Sequence, residues 1–250
     1  MITQFEARTL VSRMNSTTDA SQGNWLLARM DVEDREALER AGKPVRLNQA
    51  QVLFEPEDEI HYVWFVTSGA VSMVTVMADG TAVESLMIGR EGATEIMAGS
   101  APNRATVRAV VQIPGEALRV DAPRLRELIA TRPALRAVMD MHLARTTTEL
   151  QQTAACNAVH RLEPRLARWL LNSHDRAGTD VLPLTQEFLG DMLGAQRTTV
   201  TAVASSLQKT GAISYKRGRI TVLDRKALER ASCECYAASQ RRARAFARPV

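Results

Sequence analysis

The residues of this chain that could do chemistry are concentrated in two short runs. Arg197 begins a run rich in hydroxyl groups, RTTVT at 197–201, and three cations surround Gly218 in KRGR at 216–219. Guanidinium and ammonium groups bind phosphate, and an arginine can form two hydrogen bonds with the edge of a guanine. No Ser-His-Asp or paired-carboxylate arrangement stands out from the spacing. These residue types therefore indicate nucleic-acid recognition rather than catalysis.

The first run lies within a segment, LTQEFLGDMLGAQRTTVTAVASSLQK at 184–209, that predicts two short helices joined by a tight turn. Thr185 is a suitable N-cap, and apolar residues then recur on one helical face. Gly190, inside the first helix, indicates close approach of a second helix, and Gly194 suits a left-handed position at the helix end. This order predicts a DNA-binding helix-turn-helix, although any packed helical hairpin has similar spacings.

The second run lies between two short extended segments, 212–215 and 220–223. Together they predict a β-hairpin with a glycine turn and a basic tip. A charged hairpin tip alone is usually a solvated edge. Because this hairpin directly follows the helix-turn-helix, we interpret the unit as a winged helix, in which the second helix enters the major groove while the tip reaches phosphates.

The distribution of charge agrees with this interpretation. Residues 158–250 hold 16 Lys and Arg against 8 Asp and Glu, whereas residues 1–157 hold 16 against 20. Positive charge is thus concentrated in the half that carries the winged helix, as attraction to phosphate requires. The chain has no long uncharged apolar run, and its N-terminus lacks a signal-peptide pattern, so we expect no contact with a membrane and a cytoplasmic location.

Upstream, residues 44–121 alternate apolar and polar side chains in short runs broken by glycine turns such as Ser68-Gly69. The pattern predicts an antiparallel sandwich or roll, with separate strands on each side of Ser68-Gly69 and again at 106–111 and 117–120. Two short helices are expected within 25–40.

The segment 134–159 contains no glycine or proline and predicts one long helix. A line of side chains along it fits a dimer seam and fits equally well a helix packed on its own sheet. The line consists of Leu135, Met139, His142, Thr146, Thr153 and Cys156, with Leu143 and Leu150 beside it.

The expected fold class is α+β. We divide the chain into a loose arm (1–24), a β jelly-roll domain (25–132), a connecting helix (133–159), a winged helix-turn-helix domain (160–227) and a C-terminal helix with a basic tail (228–250).

This arrangement resembles the Crp/Fnr family of bacterial transcription factors, named for the cyclic-AMP receptor protein and the fumarate–nitrate regulator. The resemblance covers roughly residues 30–228 and is carried by LTQEFLGDMLGAQRTTV at 184–200 and QVLFEPEDEIHYVWFVTSGAVSMVTV at 51–76. It implies a homodimer that binds a near-palindromic operator in double-stranded DNA through two recognition helices, with RNA polymerase as a further partner to expect.

The resemblance also suggests roles for individual residues. It implies that Arg197 reads a guanine and that Thr199 contacts phosphate. Thr198 and Ala202 stand where the cyclic-AMP receptor has glutamate and a second arginine, so we expect a different target sequence. Gln196 is a poor N-cap and is therefore a candidate for contact with DNA. The complete set of candidate DNA-binding residues is Gln186, Gln196, Arg197, Thr198, Thr199, Thr201, Lys216, Arg217 and Arg219.

The effector site departs from the family pattern. The run Gly89-Arg90-Glu91-Gly92 has arginine where cyclic-nucleotide-binding members carry the glutamate that bonds ribose, and an arginine cannot accept those hydrogen bonds. The run 103–106, NRAT, keeps an arginine but has alanine at the hydroxyl position. We therefore expect no response to cyclic AMP and leave the effector unidentified. The candidate effector-binding residues are Gly89, Arg90, Glu91, Arg104 and Thr106, although Arg104 also fits a plain surface cation.

Cofactors and enzymatic activity are not expected. The first cysteine is Cys156, so the N-terminal ligands of the family's iron–sulfur branch are missing. Cys233 and Cys235, without nearby histidines, are too few for a standard zinc site, and we interpret them as ordinary helix cysteines, with redox sensing as the second interpretation. Residues 44–121 contain only His61, which argues against a cupin-type metalloenzyme. The alternative to a DNA-binding regulator is a ligand- or redox-sensing module that acts through protein contacts.

Overall fold

The computed structural model describes residues 23–95 and 104–247. A short helix leads into an antiparallel sheet, a long helix follows the sheet, and a winged helix-turn-helix and two further helices come after it, as the α+β prediction requires. The helices are α1 (Val32–Ala41), α2 (Ala122–Thr131), α3 (Pro133–Val159), α4 (Leu162–Ala177), α5 (Gln186–Leu193), α6 (Arg197–Lys209), α7 (Arg225–Ala231) and α8 (Glu234–Ala247). The strands are β1 (Gly42–Leu47), β2 (Val52–Phe54), β3 (Tyr62–Val76), β4 (Ala82–Ile88), β5 (Arg108–Asp121), β6 (Val181–Leu182), β7 (Ile213–Lys216) and β8 (Arg219–Val222).

The first sheet has the order β1-β5-β3-β4, with β2 also paired to β5. β3 continues through Ser68-Gly69 as one strand with register shifts, and β5 is likewise continuous, so the predictions of a turn there and of separate strands at 106–111 and 117–120 are wrong. Gly69 has a φ of 77°, and a Cβ on Gly115 would lie 2.1 Å from the carbonyl oxygen of Ser68. The two glycines allow both strands to bend together without losing their pairing.

Two hydrophobic cores hold these elements. The first fills the roll beneath α1 and α2 and includes Leu135 and Met139 from the start of α3. The second lies between the other part of the sheet and the winged helix, where residues such as Ala70 and Val74 pack with Leu166 of α4. A continuous apolar contact therefore joins the sheet to the C-terminal half of the chain.

Helix α3 covers the predicted segment, but the predicted dimer seam does not face outward. Leu135, Met139, His142, Thr146 and Cys156 are buried against the rest of the same chain. Of the two interpretations of that line, packing within the chain is the one that the structure supports. The open face of α3 carries other side chains, which include Ala144, Thr147, Leu150, Gln151 and Ala154.

The two ends of the described chain are more ordered than the sequence suggests. Most of the expected N-terminal arm lies outside the described residues, but Asn24 is fully buried and its amide donates to the carbonyl oxygens of Val66 and Gly92, each at 2.8 Å. At the other end, Ser232 and Cys233 separate two helices, and α8 runs on to Ala247 where we expected a tail. Ser239 of α8 donates to Glu149 of α3 at 2.7 Å.

Across residues 23–95 and 104–247, none of the helices combines the length and apolar character needed to span a lipid bilayer.

Candidate nucleic-acid interface

The helix-turn-helix is defined by the turn between α5 and α6. The hydroxyl of Thr185 accepts from the amide of Phe188 at 3.1 Å, which caps α5, and Gly194 ends that helix in the left-handed conformation. A Cβ on Gly190 would lie 2.9 Å from the carbonyl oxygen of Ala195. Because Gly190 has no Cβ, the backbone of the turn can pass close to α5 at this point. This close approach sets the distance between α5 and α6.

Helix α6 has one buried and one exposed face. Val200, Ala204 and Leu207 are buried in the second core. The opposite face is exposed at Gln196, Arg197, Thr198 and Thr199, whereas Thr201 is half-buried and its hydroxyl donates to the carbonyl oxygen of Arg197 at 2.8 Å. Gln196 makes no side-chain capping hydrogen bond, as its poor capping character predicts.

The wing is a two-residue hairpin. Lys216 pairs with Arg219, and the central residues Arg217 and Gly218 have φ values of 50° and 72°. Two positive φ values are those of a type I′ turn, the geometry that matches the twist of the flanking strands. The side chains of Lys216, Arg217 and Arg219 are exposed at this tip, which therefore presents three cations in one place.

An open groove lies where α5, α6 and the wing meet. Its lining includes Gln186, Arg197, Tyr215 and Arg217, which come from three successive elements of the chain. Arg197 donates to Gln186 through a long contact of 3.5 Å, which leaves most of its guanidinium donors facing solvent. The groove thus combines cations with hydrogen-bonding groups, the composition that contact with phosphates and base edges requires.

The winged helix is attached to the first sheet through buried polar contacts. The indole nitrogen of Trp169 on α4 donates to Glu84 of β4 at 2.9 Å, and Glu84 also accepts from Ser72 of β3 at 2.5 Å. Burial raises the pKa of Glu84 to about 7, in spite of these hydrogen bonds and two nearby arginines, which lower it. This carboxyl is therefore a titratable link between the sheet and α4.

A second polar link forms around Glu91, one of the candidate effector residues. Its carboxylate is bound by Arg176 of α4, whose Nε donates at 2.9 Å, and lies 3.7 Å from a guanidinium nitrogen of Arg145 on α3. Burial acts to raise the pKa of Glu91, but the two arginines outweigh it and hold the pKa at about 2. Burial lowers the pKa of the neighbouring His142 to about 4. The charge of the Glu91 carboxylate is therefore already compensated by Arg145 and Arg176 of the same chain.

Of the other candidate effector residues, Gly89 and Arg90 adjoin Glu91, whereas Arg104 and Thr106 do not line the same cavity. Arg104 donates to the carbonyl oxygen of Glu57 at 2.8 Å, and Thr106 is exposed. Arg90 instead stacks over Trp25, 5.7 Å from the ring centroid, beside a cavity of about 270 Å³ that Glu91 also lines. A Cβ on Gly89 would lie 2.8 Å from Arg176, so glycine leaves room for that side chain.

Sequence reasoning missed Arg145 and Arg176, which decide the environment of Glu91. An arginine on a helix normally indicates an exposed position, and no local pattern distinguishes these two. It also missed the approach of His160 to Cys235, whose Nδ1 and Sγ atoms are 3.6 Å apart. The prediction that the C-terminal cysteines have no histidine nearby is therefore wrong, because chain folding supplies one.

Two family models match this chain. Residues 164–231 match the Crp-like helix-turn-helix domain, and residues 44–132 match the cyclic nucleotide-binding domain. Among curated proteins, the chain is similar to the transcriptional activator protein FnrA of Stutzerimonas stutzeri, with 25% identity over 211 residues, 78% of this chain and 83% of FnrA.

Solved structures of low sequence identity share the fold. The c-di-GMP-responsive global regulator CLP of Xanthomonas campestris has a TM-score of 0.65 at 17% identity and covers 78% of this chain and 100% of its own. A Crp/Fnr-family protein of Eubacterium rectale has a TM-score of 0.68 at 16% identity, covering 82% of this chain and 96% of its own. FixK2 of Bradyrhizobium japonicum has a TM-score of 0.65 at 16% identity, and the match covers 77% of this chain and 98% of FixK2.

Proposed function

This chain belongs to the Crp/Fnr family of transcription regulators and carries a DNA-binding helix-turn-helix, and from that premise we propose that it binds a near-palindromic operator as a homodimer without requiring cyclic AMP. Helix α6 enters the major groove, and the wing tip contacts the flanking phosphates. Residues 25–132 serve as the effector domain, α3 joins the two subunits, and residues 160–227 bind the DNA.

The observation that carries this proposal is the exposed groove formed by α5, α6 and the wing. Arg197 lies at the start of α6, where the first turn of a recognition helix meets base edges, and its guanidinium faces solvent. In the proposal it makes a bidentate contact with a guanine. Lys216, Arg217 and Arg219 hold the phosphate backbone, which contributes affinity without selecting a sequence.

Smaller contacts complete the interface. Gln186 at the start of α5 and Thr199 on α6 bind phosphate, and Gln196 and Thr198 reach toward the bases. Thr201 lies one turn further along α6, and its hydroxyl is already bonded to its own helix, so it contributes mainly its methyl group to the DNA surface.

The experiment that tests this function is selection of bound DNA from a random pool, followed by fluorescence anisotropy with the selected site. We expect Arg197→Ala to weaken binding to that site by about 1–3 kcal/mol while leaving binding to unrelated duplex almost unchanged. Arg217→Ala should weaken binding to both duplexes alike and reduce the salt dependence.

The matched control is Arg40→Ala, which removes the same charge from an exposed position on α1, far along the chain from the winged helix. Equal affinity of Arg197→Ala and the parent for the selected site, at one fixed salt concentration, would contradict the proposed role of Arg197. Failure of the parent to bind any duplex would contradict the whole proposal and favour a module that acts through protein contacts.

Independence from cyclic AMP rests on the state of the candidate effector residues. The carboxylate of Glu91 is occupied by Arg145 and Arg176, and Arg104 is bonded to the backbone of Glu57. A cyclic nucleotide would find neither a free ribose acceptor nor an available phosphate ligand at these positions. Isothermal titration calorimetry with cyclic AMP should give no binding heat, and saturable binding in the micromolar range would refute this part of the proposal.

A further inference from the structure

The three cysteines of the chain come together with one histidine at the end of α3. Cys156 and His160 lie four residues apart at the end of α3, and Cys233 and Cys235 lie at the junction of α7 and α8. Four potential ligand atoms, three thiol sulfurs and one imidazole nitrogen, all lie within 4.8 Å of one another. The three cysteines are buried, and none of them forms a disulfide.

Two of the separations between these atoms fit a tetrahedral site for one metal ion. The sulfurs of Cys156 and Cys233 are 3.6 Å apart, and the sulfur of Cys235 is 3.6 Å from Nδ1 of His160. Zinc bound to thiolates at about 2.3 Å in a tetrahedron separates its sulfur ligands by about 3.8 Å. An iron–sulfur cluster distributes its cysteines over several irons and needs wider separations. The geometry therefore favours a single ion.

The surroundings of the four side chains also suit a metal. Nε2 of His160 lies 3.2 Å from the carboxylate of Glu234, which fixes the ring and directs the lone pair of Nδ1 toward the cysteines. The amide of Gln152 donates to the sulfur of Cys235 at 3.1 Å. A carboxylate behind the histidine and a hydrogen-bond donor to a thiolate are contacts that commonly accompany the direct ligands of zinc.

The local charge is consistent with three thiolates. Three thiolates, one neutral imidazole and a divalent cation carry a net charge of −1. Arg165 and Arg168 on α4 lie near the cysteines, and each has a buried Nε without a hydrogen-bond partner among the described residues. A metal ion would stabilise the deprotonated form of the three thiols, and both arginines would then face negative charge.

We propose that Cys156, His160, Cys233 and Cys235 form a structural site for one zinc ion. Soft thiolate ligands together with an imidazole in tetrahedral geometry select zinc over the hard cations magnesium and calcium. With all four positions filled by protein, the ion has no open position for substrate, so its role is structural. It binds the end of the connecting helix α3 to the helices α7 and α8, of which α7 packs against α4 of the DNA-binding unit.

The first test uses the full-length protein without a histidine tag, purified under reducing conditions. Elemental analysis should find about one zinc per chain. Replacement of zinc by cobalt should produce the strong visible absorption of tetrahedral cobalt and a thiolate-to-cobalt charge-transfer band in the near ultraviolet. Absence of stoichiometric metal, with no cobalt spectrum on titration of the reduced protein, would overturn the site. Iron accompanied by acid-labile sulfide would overturn the single-ion assignment.

The second test assigns the ligands. Cys156→Ser, Cys233→Ser and Cys235→Ser should each lose the zinc or weaken the charge-transfer band, and His160→Gln should weaken zinc binding at least 10-fold. His61→Gln is the matched control, since His61 is exposed and belongs to another part of the molecule. Equal zinc affinity of His160→Gln and His61→Gln would remove the histidine from the site.

Variants of buried cysteines can fail to fold, and Glu234→Gln avoids this difficulty because its side chain is 79% exposed. Loss of the carboxylate behind His160 should lower zinc affinity by about 10- to 100-fold, measured by competition with a coloured chelator. Glu36→Gln, an exposed change on α1, should leave the affinity unchanged. Equal affinities of these two variants would contradict the arrangement proposed for His160.

Discussion

Two buried glutamates of this chain have opposite pKa shifts, and arginine contact explains the difference. Glu91 is paired with Arg145 and Arg176, which outweigh its burial and hold its pKa at about 2. Glu84 receives neutral hydrogen bonds from Ser72 and Trp169, and burial raises its pKa to about 7. Residue type alone therefore does not decide whether a buried carboxyl is charged.

At this scale we predict that Glu91→Gln destabilises the protein by about 3 kcal/mol at neutral pH, since two buried arginines lose their counter-charge. Urea unfolding of parent and variant would measure the loss. In the parent, the low folded pKa means that this contribution is present above the ordinary value of 4.5 and is lost as the pH falls toward 2. Glu127→Gln, which removes half of an exposed ion pair, should change stability by less than about 0.5 kcal/mol. Similar losses in the two variants would contradict the prediction.

At the scale of elements, helix α3 has three different environments around its axis. One face packs on the sheet, a second carries Glu149 and Gln152 toward α8, and the third remains open. The open face combines small residues such as Ala144 and Ala154 with Leu150, which is 39% exposed. Small side chains allow two helices to approach closely, and a leucine between them supplies apolar contact, so this face suits the dimer contact of the proposed function.

We predict that Leu150→Glu weakens self-association at least 10-fold, because it places like charges opposite each other across a twofold axis. Sedimentation equilibrium would measure the dimer dissociation constant. Val32→Glu introduces the same charge at a position on α1 that is 59% exposed, and it should leave the dimer intact. A Leu150→Glu protein that dimerises as tightly as the Val32→Glu protein would place the subunit contact elsewhere.

At the scale of the whole molecule, the DNA-binding unit and the sheet share a core with polar groups inside it. Gln112 of β5 donates to Ser173 of α4 at 2.8 Å, next to the contact between Glu84 and Trp169. The turn glycine Gly194 also approaches Val83 of β4, since a Cβ there would lie 3.3 Å from a methyl group of that valine. A change of charge at Glu84 therefore affects the contact between the two halves.

The raised pKa of Glu84 determines whether its contribution to folding stability rises or falls with pH. Its folded state holds the proton up to about pH 7, whereas its ordinary pKa is 4.5. The contribution of Glu84 to the free energy of unfolding is therefore fully present below pH 4.5, and it falls by about 3 kcal/mol as the pH rises through 7. His142, with a pKa lowered to about 4, has the opposite dependence and loses stability as the pH falls below its ordinary value of 6.5.

We predict that Glu84→Gln gains stability relative to the parent as the pH rises from about 5 to 8, because the amide never has to ionise in the core. Comparing the variant with the parent at each pH cancels the contribution of His142. Chemical unfolding of both proteins at pH 5 and at pH 8 would give the difference in their free energies of unfolding at each pH. A difference that is independent of pH would show that Glu84 does not titrate in this range.

Local sequence patterns were sufficient to predict the helix-turn-helix, the wing and the long helix. Thr185 and Gly194 mark the two ends of α5, Gly218 marks the hairpin tip, and the absence of glycine and proline from 134–159 marks α3. These features depend on residues a few positions apart, whose hydrogen bonding and backbone conformation follow from their own chemistry.

The tertiary structure alone decided which distant residues meet. Arg176 reaches Glu91 across 85 positions, and His160 and Cys156 reach the cysteines at 233 and 235. Which face of α3 remains open, and whether β3 bends or breaks at Gly69, likewise depends on the elements packed alongside. Periodicity along a chain reports that a face is apolar, but only folding determines which partner covers it, because that choice depends on contacts between segments far apart in sequence.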